Sequence, residues 1–522
     1  MINMAIKLIL LVVFFGVMVG IGIYCRRNAT DVNGFVLGGR AVGPWLTAFA
    51  YGTSYFSAVV FVGYAGQFGW KYGIAATWAG IGNALIGSLL AWAVLGRRTR
   101  IMTQHLDSAT MPEFFGRRFG SDSLKIAASV VTFIFLVPYT ASLYNGLSRL
   151  FGMAFNIDYS VCVIVMAVLT GVYVIAGGYM ATAVNDFIQG VIMLFGICAV
   201  IVAVIKSQGG FIAALNGLAQ VTDETVSSAP GVFNSFFGPD PVNLLGVVIL
   251  TSLGTWGLPQ MVQKFYAIKS EKSISTGLVV STVFAFIVSG GCYFLGGFGR
   301  LFSDKMEIVN GLPNGSYDSV IPTMLSGLPD LLIALVVILV LSASMSTLSS
   351  LVLTSSSTLT LDLLKGHVVK KMDEKRQVFI MRCLIVVFIG ISVVLAIIQY
   401  RSSVTFIAQL MGVSWGALAG AFLAPFLYGL YWKRTSKIAC WTSFIFSTVF
   451  MLLVISPAKT VLPALLQSPI NAGAFCMIAG LIIVPVVSLF TPAPDKKLVD
   501  GAFSCYEQTV SVPQRNALGD PE

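Results

Sequence analysis

Ala343, Ser346 and Thr347 stand three and four positions apart in the run LVLSASMSTLSSLVLTSSSTLT. On a helix those offsets bring the Ala backbone and both hydroxyls to one face, and Ser349 and Ser350 continue the stripe one turn further. A hard monovalent cation such as sodium wants several neutral or anionic oxygens, which hydroxyls facing a cavity can supply. The plainer use of such residues is close helix packing, or bonding back to their own turn. A second chemical feature is Asp186, just past GGYMATAVN in an apolar run. A carboxylate at mid-helix costs roughly 2.5–3.5 kcal/mol to insert, and less near an interface. It serves either a cation path or, more plainly, as an interfacial charge at a helix end.

Two apolar runs look interrupted. AVGPWLTAFAYGTSYFSAVVFVG clusters Gly52, Thr53, Ser54 and Ser57 in its middle, and LLGVVILTSLGTWGLPQMVQ sets Gly254, Gly257 and Pro259 within six positions. Unwound backbone inside a membrane offers carbonyls and amides to a solute, and breaks at matching places in two halves are the mark of an inverted repeat.

The elements that position these residues follow from composition. The chain has 522 residues, 57% hydrophobic and only 10% charged, with a mean hydropathy of +0.87. One core cannot bury that much apolar surface, so an integral membrane protein is expected. Each crossing takes roughly 20 apolar residues, and continuous runs mean helices rather than a barrel. Thirteen spans are read at 5–24, 42–67, 73–96, 125–152, 159–177, 182–205, 242–263, 274–299, 329–363, 379–400, 403–432, 437–457 and 470–491.

Placing the N-terminus outside and the C-terminus inside puts 24 of the 32 Lys and Arg on the cytoplasmic side, Lys264 among them. That is the bias of a multi-pass plasma-membrane protein. The net charge of +10 is then explained by topology and anionic lipid headgroups, with no nucleic-acid partner. The first run is followed by CRRNATD, with no small-residue cleavage site, and is expected to stay as a helix. Eight Cys are scattered singly, and His105 and His367 fall in basic loops, so neither metal nor catalytic chemistry is indicated. The segments 206–241 and 300–328, rich in Gly, Ser, Pro and Asn, have room only for short surface helices.

FVLGGRAVGPW (35–45), GGYMATAVNDFIQG (177–190), GTWGLPQMVQKFYAIKS (254–270), SASMSTLSS (342–350) and PFLYGLYWKR (425–434) resemble, in order and spacing, the sodium/solute symporter family. That family includes sodium/proline, sodium/sialic acid and sodium/glucose carriers. The resemblance implies an all-α leucine-transporter fold, an inverted five-plus-five repeat within about 13 transmembrane helices. Its parts are an extra N-terminal helix and loop (1–41), a first repeat (42–205), an extracellular loop (206–241), a second repeat (242–432), two further helices (433–491) and a cytoplasmic tail (492–522). It also implies sodium as the coupling ion, bound by the carbonyls of Thr53, Phe56 and Ala343 and the hydroxyls of Ser346 and Thr347. Asp186, Ser349 and Ser350, with the Ser346 carbonyl, match the pattern of a second sodium site in the sialic acid carriers, or line the exit path.

The resemblance thins at the solute. The Asp of the proline carriers' second span is Tyr55 here, and in the seventh span Thr251 and Thr255 replace proline-site residues while Pro259 is kept. A sugar needs many polar partners, because unpaired buried polar groups are costly, and spans two and three offer little beyond Asn83. The expected solute is a small amino acid, proline-like, or a small carboxylate, with Ser54, Tyr55, Ser57, Tyr139, Thr255, Trp256 and Pro259 as lining candidates. A sodium/sugar or sialic acid symporter is the alternative. A carrier-fold sensor needs a soluble output domain, for which the stretch after Pro492 is too short. An intramembrane enzyme needs a catalytic dyad or metal cluster at membrane depth, and neither is visible. Proton coupling through Asp186 is the remaining competitor.

Overall fold

In lipid the usual sorting of side chains inverts. Val161, Val165, Val168 and Val172 stand exposed at helical spacing, while Ser342, Ser344, Ser346, Thr347, Ser349 and Ser350 are buried. The computed structural model describes residues 2–155, 158–227, 229–309, 312–314, 316–365, 368–369, 372–402 and 407–507. The side chains of residues 2–8, Asn28, Tyr55, Met153, Arg401 and Ser402 lie outside that description, as does all of His367. Helix dominates; among the described residues the one sheet is a two-stranded hairpin, Ile308–Val309 with Leu312–Pro313.

In chain order the principal helices are α1 (Ile2–Cys25), α2 (Pro44–Tyr55), α3 (Ala65–Tyr72), α4 (Met111–Phe119), α5 (Asp122–Phe155), α6 (Tyr159–Ser207), α7 (Pro241–Gly257), α8 (Pro259–Ala267), α9 (Lys272–Gly296), α10 (Asp330–Thr358), α11 (Glu374–Ser402), α12 (Ile407–Tyr431), α13 (Lys437–Ile455), α14 (Pro469–Phe490) and α15 (Lys496–Phe503). Their starts follow local chemistry. Asp240 caps α7 by accepting from the Asn243 N–H at 3.1 Å, with Pro241 at the first position. Thr110 caps α4 by accepting from the Glu113 N–H at 3.1 Å, and the Glu113 carboxylate accepts from the Ala109 N–H at 2.9 Å.

By length and composition nine helices among the described residues can cross a membrane, or ten if the bent pair α7 and α8 makes one span. Two of the nine are far longer than one crossing: Val59–His105 and Tyr159–Ser207, at 47 and 49 residues. A straight helix of the latter length would reach roughly 74 Å across a hydrocarbon layer of roughly 30 Å. Each is broken by a glycine in a backbone conformation that other residues resist, Gly73 (φ 61°) and Gly178 (φ 56°, ψ −148°).

The two interruptions read from sequence are present. α2 ends at Tyr55, Phe56 is extended (φ −86°, ψ 113°), and a π-helical turn resumes at Val59. α7 stops at Gly257, Leu258 is extended, and α8 leaves at 46°. Burial separates centre from rim: the apolar window of α12 is 94% buried and that of α11 only 33%. The core is thus α12 and the inner half of α10, with α11 lying towards lipid. The long connections carry short helices, Phe211–Gln220 and Val320–Leu325, as expected. The tail adds α15, which packs Phe503 under the Arg118 guanidinium.

Candidate functional site

The break in α2 leaves the Thr53 carbonyl, one position past the last helical bond from the Phe56 N–H to Gly52, at the negative end of the helix dipole. α10 crosses that end with its hydroxyl face. Ser346 Oγ lies 3.1 Å from the Thr53 carbonyl and 3.1 Å from that of Ala343. Thr347 Oγ1 lies 3.2 Å from the Thr53 carbonyl, 3.2 Å from Ala343 and 3.5 Å from Phe56. Each hydroxyl has one proton to donate, so two protons face three carbonyls, and lone pairs are in excess. Five neutral oxygens with surplus lone pairs, sealed from solvent, suit a hard cation better than they suit one another. All five oxygens expected from the sequence are brought together.

One turn along α10 the second cluster differs. Ser349 Oγ donates to the Ser346 carbonyl at 2.9 Å, and Ser350 Oγ lies 2.9 Å from Ser54 Oγ. Asp186 is fully buried, so it is not an interfacial charge. The nearest cation is Lys264, on α8, with Nζ 4.0 Å from Asp186 Oδ2. The same ammonium donates to Ser350 Oγ at 3.0 Å and sits 5.1 Å above the Tyr179 ring. The sequence places Lys264 with the cytoplasmic loop residues. α8 in fact continues to Ala267 and holds it 1% exposed, where Asp186 supplies the opposite charge and Ser350 accepts a hydrogen bond in place of water.

The solute candidates divide. Thr255 Oγ1 donates to the Gly87 carbonyl at 2.9 Å, and Trp256 Nε1 to Ile86 at 2.9 Å, so both tie α7 to the third span. Ser54 turns to Ser350, and Pro259 starts α8. Tyr55 closes α2, with its side chain outside the described residues. Ser57 and Tyr139 are different. The Tyr139 hydroxyl faces the Ser57 hydroxyl and the Trp415 indole N–H, and none of the three polar atoms reaches hydrogen-bond geometry. Trp415 lies edge-on to Tyr139 with ring centres 5.9 Å apart, and its indole covers the bare Cα of Gly254. Gln260, buried in the first turn of α8, also has both amide atoms unpartnered.

A cavity of about 840 Å³ opens at one end of the helices, reaching Pro138 and Val413 beside the Tyr139 cluster, with Trp70, Lys71, Asp240 and Arg300 at its mouth. A second, of about 760 Å³, lies at the opposite end of the same spans, lined by Arg97, Arg98, Gln104, Glu271 and Tyr506. Among the described residues no group of three His, Cys, Asp or Glu is placed to hold a metal.

Lys264, Gln260 and Trp415 were missed from sequence. For Lys264 a signal existed: a single cation inside QMVQKFYAI, directly after a GLP break, is where a buried charge does work. Trp415 gave none, since its partners come from two other helices.

Known proteins match over most of this length. The model of the sodium:solute symporter family matches residues 35–445. The osmoregulated proline transporter OpuE of Bacillus subtilis is 28% identical over 504 residues, covering 94% of this chain and 96% of that protein. The sodium/proline symporter of Staphylococcus aureus is 29% identical over 506 residues, covering 95% and 93%. Among solved structures, a Na+-coupled sialic acid symporter in its substrate-bound outward-open state superposes with a TM-score of 0.71 at 16% identity, over 94% of this chain and 99% of that one. That likeness gives the fold. With the family model spanning most of the chain, the protein belongs to the sodium:solute symporter family.

Proposed function

We propose that the protein is a secondary active symporter that carries proline, or a close small-amino-acid analogue, into the cell with sodium. The observation that carries the sodium part is the five-oxygen cluster of Thr53, Phe56, Ala343, Ser346 and Thr347 at the broken end of α2. The solute class rests on relatives named as proline transporters at 28–29% identity over nearly their whole lengths. The architecture proposed is the inverted five-plus-five repeat with thirteen crossings. It follows when Val59–His105 and Tyr159–Ser207 are each divided at their glycine break and α1 is added. In this orientation the cavity at Lys71 and Arg300 is the extracellular vestibule, and that at Arg97 and Arg98 the cytoplasmic one.

The Tyr139, Ser57 and Trp415 group at the vestibule floor is proposed to receive the solute, in reach of both broken helices. Its polar atoms are neutral and few, which fits a compact zwitterion better than a polyhydroxylated sugar. Thr255, Trp256 and Pro259 frame that floor, and Asp186 lies on the ion's exit side. Sodium at the five-oxygen cluster ties α2 to α10 and completes the floor; closure above it and opening below release both cargoes. The membrane potential adds about 2.3 kcal/mol per charge per 100 mV to the sodium gradient.

The test is uptake of radiolabelled proline into proteoliposomes under an inward sodium gradient, with choline or a pH gradient in its place, and with glucose and sialic acid as competitors. Sodium-dependent accumulation that neither competitor blocks is expected. Accumulation driven by protons alone would overturn the coupling, and displacement by either sugar the solute class.

A further inference from the structure

We infer that Lys264 is a tethered second cation: its ammonium takes the position that a second sodium ion would occupy beside Asp186, Ser349 and Ser350, so the protein couples one sodium to each solute. The inference rests on the symport reading above and adds its stoichiometry. An ammonium group and a sodium ion carry the same charge and ask for the same hard oxygens. Here the ammonium donates to one of them, Ser350 Oγ at 3.0 Å, and pairs in charge with the Asp186 carboxylate at 4.0 Å. The Tyr179 ring face covers another side at 5.1 Å. Both charged side chains are at most 2% exposed. A sodium ion entering this cluster would place two positive charges against one buried carboxylate, and it would have to displace the ammonium from Ser350.

The tether also joins moving parts. Lys264 lies on α8, the short half of the broken seventh span, and Ser350 lies on α10. Ser350 in turn contacts Ser54 at 2.9 Å, and Ser54 is next in sequence to Thr53, whose carbonyl belongs to the five-oxygen cluster. The ammonium therefore links both interrupted spans to the sodium-binding helix through one serine. A permanently resident charge keeps that link in every cycle, where an exchangeable ion would break it each turn.

The experiment is sodium binding to purified protein at constant ionic strength, with choline chloride as the balance, read by intrinsic tryptophan fluorescence. It is paired with the ratio of ²²Na to proline moved in proteoliposomes. The wild type is expected to give a Hill coefficient of one and one sodium per solute. Lys264→Met removes the charge at similar length, which frees Asp186 for an ion, so the Hill coefficient should rise towards two. Lys264→Arg should stay at one, and Lys264→Met combined with Asp186→Asn should return to one. Two sodium ions per solute in the wild type overturn the inference, as does a folded Lys264→Met protein that still binds one. If Lys264→Met does not fold, Lys264→Gln takes its place. If neither folds, one sodium per solute in both the wild type and Lys264→Arg sustains the inference, and two in either overturns it. A wild type whose fluorescence and uptake ignore sodium overturns the symport reading itself, and the inference with it. Two ions overturn the inference alone.

Discussion

One helix carries two oxygen clusters a single turn apart, and they solve opposite problems. At Ala343, Ser346 and Thr347 the surrounding atoms are all neutral acceptors and hydroxyls, with carbonyls in excess of protons. At Ser349 and Ser350 a buried carboxylate and a buried ammonium already balance one another. The first cluster carries no charge of its own, and the second carries two that oppose each other. A serine stripe therefore does not decide whether an ion binds. What decides it is the residue that another helix points at the stripe, here the end of α2 in one case and Lys264 of α8 in the other.

The sharpest way to break this contrast is to remove oxygens from the first cluster. A contact to a charged group contributes about 1.5–3 kcal/mol, which is a tenfold or greater change in an equilibrium constant. Ser346→Ala and Thr347→Ala should each raise the sodium concentration for half-maximal uptake at least tenfold, and the double variant should abolish sodium activation in the accessible range. Unchanged sodium activation in the double variant would remove the site from this helix face.

The second cluster should respond in stability before it responds in sodium affinity. Removing one partner of a buried pair leaves the other charge uncompensated, a loss of about 3–5 kcal/mol, whereas removing both is far milder. Asp186→Asn alone should lower the thermal unfolding midpoint in detergent markedly. Adding Lys264→Met should restore much of it, a coupling that a double-mutant cycle reads directly. Additive losses in the cycle would mean that the two side chains do not act as a pair.

The parts of this contrast that were legible in sequence are the local ones. The hydroxyl face of α10 follows from spacings of three and four, and both breaks from Gly and Pro in runs that were otherwise helical. Asp186 stood out because a carboxylate in an apolar stretch is costly. Lys264 was misplaced because its burial depends on partners on α6 and α10, far along the chain. Taken alone, a lysine five residues before Lys269 and eight before Lys272 reads as part of their loop. By type and position Thr255 and Trp256 read as lining residues. Their bonds to Gly87 and Ile86 depend on a π-helical stretch of the third span, Asn83–Leu90, that no periodicity announces. The sequence divides Tyr159–Ser207 into two spans, 159–177 and 182–205, where the structure has one 49-residue helix kinked at Gly178.

A third pair of charges, outside the membrane spans, gives the smallest effect and serves as a control on the other two. Arg300 donates to the Asp223 carboxylate at 2.9 Å and to the Trp70 carbonyl at 2.6 Å, and its guanidinium lies 3.8 Å above the Phe233 ring. Thr225 donates to Asp223 from its backbone N–H at 3.1 Å and from its hydroxyl at 2.6 Å. Burial on its own pushes the Asp223 carboxyl up, but the hydrogen bonds from Thr225 and Arg300 and the charge of Arg300 together outweigh it. The group is held below its ordinary value of 3.8. A carboxyl depressed in the folded state stabilises the fold above its unfolded value and loses that contribution as pH falls through the folded one. Loosening of the 206–241 connection should therefore begin only below pH 3.8, seen as faster proteolysis there. Asp223→Asn should cost about 1.5 kcal/mol at neutral pH and flatten that acid dependence. Because the pair lies at the vestibule mouth and touches neither oxygen cluster, the variant should leave both the Hill coefficient for sodium and its half-saturating concentration as they are. A shift in either would mean that ion occupancy on α10 is felt at the vestibule, and that the two clusters are not the self-contained units their geometry describes.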